Sequence, residues 1–303
     1  MQRARAAHHD HEQRRRAGPV HAHRSGAAAA AIVGASFPVS QALVDYPYAT
    51  GQMLRYAAGA LILTALLKGK LGRPTKRELA RLALVAAVGL VGFNLAVLAA
   101  VDHIGATNTG VIVGTSPVFL ALAATTRDAR LLTAAATVVA GAIIVNGVDA
   151  HVDALGTLAA LAALAGEVGF TLLAAPLLPR LGPKRVAAWA AWLATAQLAL
   201  LTRQDIPTPT SDELAAIAYL ALFTTAVAFV LWFGAVQRLG SGKAGLLVGL
   251  MPVAAVAADA LLNGRTPTPA DLAGTALVAT GVALGARRPR APAPVVAHQP
   301  VRT

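Results

Sequence analysis

Cysteine is absent from the 303 residues, which excludes disulfides, thiolate metal sites and cysteine nucleophiles. Charge is scarce as well: 13% of residues are Asp, Glu, Lys or Arg against 56% hydrophobic, and the mean hydropathy is +0.60. Such a composition is poor in charge for a soluble domain and belongs among integral membrane proteins. The competing reading is an Ala-rich soluble helical protein, which would have no long uncharged runs. The charges here fall into short clusters between such runs. Sequence signatures of chemistry are also missing. No G-x-x-x-x-G-K-[ST], G-x-S-x-G or H-E-x-x-H occurs, so ATP-driven transport by this chain alone is excluded and a membrane enzyme is disfavoured.

What is present is a series of apolar segments near the length that a hydrocarbon core of about 30 Å requires. They run over 26–44, 50–67, 82–101, 104–124, 131–148, 154–178, 185–202, 213–236, 241–262 and 270–286. The sequence therefore predicts an all-α integral membrane protein with ten transmembrane helices. The boundary between the third and fourth spans rests only on Asp102 and His103.

Acidic residues number 14 and Lys plus Arg 26. If the ten helices start from the cytoplasm, 23 of those 26 basic residues lie on the cytoplasmic side. The exceptions are Arg203, Arg265 and Arg55, the last inside a span. Short loops obey the positive-inside bias, so both termini are expected in the cytoplasm. The imbalance thus reads as orientation in a cell-membrane protein, and nucleic acid is not an expected partner.

Two segments repeat at a spacing of 135 residues: HIGATNTGVIVGTSPVFLALA (103–123) and RLGSGKAGLLVGLMPVAAVAA (238–258). Both contain G-x-x-x-G-x-x-P, as Gly110, Gly114 and Pro117 and as Gly245, Gly249 and Pro252. An odd number of helices per half makes the repeat inverted, an architecture of secondary transporters with the substrate held near the midplane. The expected organisation is a basic, His-rich disordered tail at 1–25, five-helix halves at 26–148 and 149–286, and a disordered Pro/Ala-rich tail at 287–303.

At this point the chain resembles the EamA-type transporters of the drug/metabolite transporter superfamily. The resemblance is carried by residues 224–284, by LRYAAGALIL (54–63) and by GATNTGVIVGTSPVF (105–119). Val33-Gly34 and Asn263-Gly264 depart from the family's Trp-Gly and Glu. The resemblance implies gradient-driven movement of a small metabolite, amino acid or drug, as an exporter by alternating access, with a proton or another coupling ion and without cofactor, metal or nucleotide hydrolysis. Alternatives are a nucleotide-sugar or phosphate-ester antiporter of the same superfamily, and a non-transporting scaffold or receptor.

A charge inside hydrocarbon costs about 2.5–3.5 kcal/mol on insertion scales, so a retained one is a functional candidate. Glu167 lies some 13 residues into the sixth span, roughly 20 Å at 1.5 Å per residue, and leads the candidates for substrate or ion binding. Its alternative role is a structural carboxyl beside Gly166 and Gly169. Arg55 either snorkels to the interface or binds a substrate carboxylate. Ser36, Ser40, Asn94, Asn108, Thr109, Thr115, Ser116, Thr224, Thr225 and Trp232 are candidates to line a cavity, each with the alternative of an interhelical hydrogen bond. The residues Gly110, Gly114, Pro117, Gly245, Gly249 and Pro252 read as helix-packing positions, with the fourth helix against the ninth or against a neighbour in its own half. Glycines of the tenth helix suit either internal packing or a dimer contact.

Overall fold

The computed structural model describes residues 21–124, 128–147, 153–202 and 206–286, and the described residues are helical with no strand. Helix α1 covers 21–35 and is followed by a short helix at Phe37–Ser40. It begins ahead of the tail boundary expected at residue 25; the rest of that tail and all of 287–303 lie outside the described residues. Helix α2 is Tyr48–Leu66. One run from Lys76 to Leu122 then supplies α3 (76–104) and α4 (106–122). The remaining helices are α5 (Ala129–Asn146), α6 (Ala154–Leu181), α7 (Pro183–Leu201), α8 (Ser211–Leu239), α9 (Ser241–Leu262) and α10 (Pro269–Ala286). Six runs among the described residues are long and apolar enough to cross a bilayer. Helices α2 and α7 have the length, at 19 residues each, but carry Gln52 and Arg55, or Lys184, Arg185 and Gln197.

The junction of α3 and α4 lies at Gly105, not at the polar pair Asp102–His103. Gly105 has φ +75° and ψ 165°, and Gly240 between α8 and α9 has φ +79° and ψ 161°. A side chain is disfavoured at such angles, so glycine lets the chain reverse without a loop. Polarity marks where a helix nears the interface; the backbone turns where a residue without Cβ permits it.

The same spacing of 135 residues recurs in local structure. Helix α3 opens on a reciprocal cap in which Thr75 and Glu78 satisfy each other's backbone N–H, and α8 opens on the same cap made by Thr210 and Glu213. Each helix then widens into a π-helical segment, Ala87–Gly92 in α3 and Leu220–Val227 in α8. Helices α5 and α10 are both 18 residues long.

Three pairs of corresponding helices pack antiparallel. Between α2 and α7, Trp192 Nε1 donates to Thr64 Oγ1 at 3.0 Å and Thr202 Oγ1 approaches Met53 Sδ at 3.7 Å, so one helix ascends as the other descends. Between α4 and α9, a Cβ added to Gly242 would meet Ala124 and one added to Gly245 would meet Leu120, both at 2.8 Å. Between α5 and α10, a Cβ on Gly141 would lie 2.6 Å from the Gly274 carbonyl, and one on Gly281 would lie 2.7 Å from that of Ala134. Lipid tails remove the hydrophobic drive between helices, and small residues gain dispersion contact by letting backbones approach. Glycines of α10 are used in this way against α5, inside the chain. The main buried cluster joins α2, α3, α6, α7 and α8, with contributions from α1 and α9, and has Tyr56, Leu82, Phe170, Leu178, Ala190 and Phe233 among its members.

Candidate functional site

Four helices close a ring around one polar layer. The link between α2 and α3 is Asn94, whose Oδ1 accepts from Tyr48 Oη at 3.1 Å and whose Nδ2 donates to Tyr56 Oη at 2.8 Å. Nδ2 also donates at 2.7 Å to the carbonyl of Leu90, inside the π segment of α3. Glycine contacts bring α3 against α6: a Cβ on Gly166 would touch Phe93 at 3.0 Å, and one on Gly89 would touch Phe170 at 2.6 Å. Trp232 of α8 donates through Nε1 to Thr171 Oγ1 of α6 at 3.1 Å, while the Phe170 and Phe233 rings stand 4.9 Å apart. Arg55 closes the ring from α2 to α8, donating through Nε to Thr225 Oγ1 at 3.0 Å.

Arg55 is held on three sides. Besides Thr225, its NH1 donates to Gln52 Oε1 at 3.2 Å, and the guanidinium carbon sits 5.2 Å from the Tyr56 ring centroid. Tyr56 is 1% exposed and Thr225 fully buried. No carboxylate pairs with Arg55 among the described residues, and it forms no ion pair with Glu167.

Glu167 stands on the inward stripe of α6, flanked by buried Ala160, Ala163, Leu164, Phe170, Thr171 and Ala174 at helical spacing. It is itself only partly buried, and among the described residues its carboxyl has no hydrogen-bond or ion-pair partner. Glu167 and Asn94 each follow by one residue a member of the Gly166–Phe93 contact, which sets them at one depth.

Other sequence candidates bond within their own helices. Ser36 Oγ donates to the Val33 carbonyl, Ser40 to Ser36, Thr109 to Gly105, Thr115 to Ile112 and Thr224 to Leu220, at 2.6–3.1 Å. This back-bonding satisfies the hydroxyl at short range. Asn108 is partly buried on α4 and is held by an interaction, and Ser116 is fully buried with its Oγ unpaired. Among the packing positions, Gly245 faces Leu120 of α4 and Gly249 faces Val138 of α5, whereas Gly110 lies nearest Asn146 of α5 and Gly114 nearest carbonyls of its own helix. Pro117 is buried and Pro252 partly so.

Several site residues escape a search for isolated charges. Tyr48, Gln52 and Tyr56 share one face of α2 with Arg55, and the spacing 48, 52, 55, 56 carries that signal. Thr171 lies one turn from Glu167. Outside the layer, Asp153 caps α6 by accepting from the Gly156 N–H at 2.9 Å and lies 3.3 Å from His103 Nδ1. The backbone N–H groups at that cap, with His103 beside them, hold the Asp153 carboxyl below its ordinary pKa. Asp259 at the end of α9 pairs with Arg265 at 2.7 Å.

Long apolar helices, antiparallel corresponding pairs and a polar layer enclosed between helices define a multi-pass membrane transport protein. The chain belongs to the EamA-like transporter family, whose pattern matches residues 25–147 and again 154–286. It is a protein of the plasma membrane. An uncharacterized transporter of Bacillus subtilis, YetK, is 28% identical over 255 residues, spanning 78% of this chain and 77% of its own. A protein of Streptantibioticus cattleyicolor named "Probable terminal-alkyne amino-acid exporter" is 29% identical over 266 residues, spanning 84% of this chain and 89% of its own. A solved crystal structure with 18% identity shares the fold at a TM-score of 0.74, covering 87% of this chain and 95% of that one.

Proposed function

We propose that this chain is a secondary active exporter of a small metabolite, working by alternating access of two inverted five-helix halves, 26–148 and 149–286. All ten helices span the membrane in this reading and both termini are cytoplasmic. The antiparallel corresponding pairs and the 23 of 26 basic residues on one side support it. The observation that carries it is Glu167, an unpartnered carboxyl partly open on the inward stripe of α6, at the level of the Asn94 network. A carboxyl there can hold either a proton or a cationic group of the substrate, and exchange between the two couples flux to a gradient. The exporter direction agrees with the name of the Streptantibioticus relative.

Proteoliposome transport with an imposed pH gradient, run across a metabolite panel, tests this reading. Glu167→Gln is expected to cut gradient-driven flux about a hundredfold while leaving the protein folded. Undiminished flux in that variant would remove proton exchange at Glu167.

A further inference from the structure

A dense excess of one charge lies at one end of the helices, away from the polar layer. Six Lys and Arg fall between Lys68 and Arg81, and Arg180, Lys184 and Arg185 fall at the turn from α6 to α7, with Glu78 the sole acidic residue of either stretch. The fold brings the two stretches together. Arg185 Nε donates to the Lys70 carbonyl and Trp189 Nε1 to that of Leu71, both at 3.3 Å, and Arg180 pairs with Glu78. Glu78 is already engaged in the cap of α3. The other eight basic residues have no carboxylate partner among the described residues.

The positive-inside bias places basic residues in each short loop, but it does not require two loops distant in sequence to merge their charge. The α8–α9 turn carries only Arg238 and Lys243, although it lies at the same end, where Gln237 Nε2 donates to the Leu178 carbonyl at 2.9 Å. Charges of one sign at this density repel one another. Lys76, Arg77, Lys184 and Arg185 also sit in the first turns of α3 and α7, where the helix dipole disfavours a cation. An anionic partner removes both costs.

The apolar surroundings identify that partner as a lipid. Arg77, Arg81 and Leu84 form one exposed stripe at helical spacing, turned away from the fully buried Leu82 and Val85. Leu84 is 47% exposed, and Leu66, two residues before Lys68, is 63% exposed. A free phosphate would need the cations alone. A stripe that passes from guanidinium to exposed leucine within two turns matches a headgroup followed by its acyl chains. Trp189 is held beside the same loop, and indoles settle at the boundary of water and hydrocarbon.

We propose that residues 68–81 and the α6–α7 turn together form a binding surface for the headgroups of anionic phospholipid. The two stretches belong to different repeats, so the surface spans the seam between the halves. On the orientation proposed above it faces the cytoplasmic leaflet; it depends on neither the cargo nor the coupling ion.

The purified full chain in detergent is titrated with palmitoyl-oleoyl phosphatidylglycerol, with the phosphatidylcholine of the same chains and with glycerol 3-phosphate. Thermal stabilisation and lipid retained in native mass spectrometry are the readouts. Wild type is expected to bind phosphatidylglycerol at least about tenfold more tightly than either comparison, with the preference falling as salt rises. Arg77→Gln combined with Arg81→Gln is expected to cut that affinity at least about tenfold, and Lys184→Gln about threefold. Arg238→Gln combined with Lys243→Gln removes the same charge at the same end and is expected to leave affinity within about twofold. Unchanged helical circular dichroism in each variant excludes misfolding as the cause. Equal binding of the two lipids, full affinity in the Arg77/Arg81 variant or an equal loss in the Arg238/Lys243 variant would overturn the site. Glycerol 3-phosphate bound as tightly as the lipid would overturn the lipid as its partner. No gradient or cargo enters the measurement, so failure of the transporter reading leaves this result standing.

Discussion

In the first half, α3 opens on the Thr75–Glu78 cap, widens at Ala87–Gly92 and turns at Gly105; in the second, α8 opens on Thr210–Glu213, widens at Leu220–Val227 and turns at Gly240. The chemistry does not follow the geometry. At 135 residues after Arg55, Tyr56 and Asn94 stand Ala190, Ala191 and Phe229, and 135 before Glu167 stands Ile32. Residues that determine backbone path are kept in both copies, and charge or amide groups occur in one. The polar groups of Arg55, Asn94 and Glu167 therefore have no counterparts in the other half.

Disruption of the polar layer is the largest expected break in that comparison. Glu167→Gln and Arg55→Gln should each cut gradient-driven flux in proteoliposomes by a hundredfold or so, a loss of about 2.7 kcal/mol. Their counterparts Ile32→Val and Ala190→Ser should leave flux within about twofold, since they touch no polar partner. A large loss at the counterparts would mean that both halves contribute to the site.

The scaffold should respond in the opposite way, equally in both halves. Gly141→Val and Gly281→Val each drive side-chain atoms into the facing backbone of the α5–α10 pair. Each should cost about 1–3 kcal/mol by overpacking, read as a matched fall in Tm in detergent. Gly105→Ala and Gly240→Ala, both at positive φ with extended ψ, should each cost about 1–3 kcal/mol. Unequal losses within either pair would show that the two copies no longer share one geometry.

The helix caps are the smallest test and the sharpest for asymmetry. Thr75→Ala and Thr210→Ala should each destabilise by about 1 kcal/mol. Glu78 also receives two hydrogen bonds from Arg180 at the end of α6, while Glu213 has only its cap. Glu78→Ala should therefore lower Tm more than Glu213→Ala, and Arg180→Ala should remove the difference.

Much of this architecture is legible along the chain. The twin G-x-x-x-G-x-x-P segments locate corresponding helices, and Glu167 and Arg55 stand out as charges within apolar runs. The spans expected from hydropathy fall on the observed helices within a few residues at most ends. The first is an exception: it is already helical at residue 21, because Ala-rich sequence with a few polar residues continues a helix past the point where apolarity fades. The site was harder to read. Ser36, Thr109, Thr115 and Thr224 resemble Thr225 in the sequence, yet each bonds to its own helix while Thr225 holds Arg55.

The sequence by itself determined which segments are helical, which stretches repeat, which loops carry the basic charge and where the backbone reverses. Those properties depend on solvation and on φ/ψ freedom, which act residue by residue or over a turn of helix. Tertiary structure alone decided that Asn94 joins Tyr48 to Tyr56 and that Arg55 meets Thr225. Such meetings depend on the rotation and register of one helix against another. Close contacts such as Gly89 on Phe170 and Gly166 on Phe93 set them, and they form only when the chain packs.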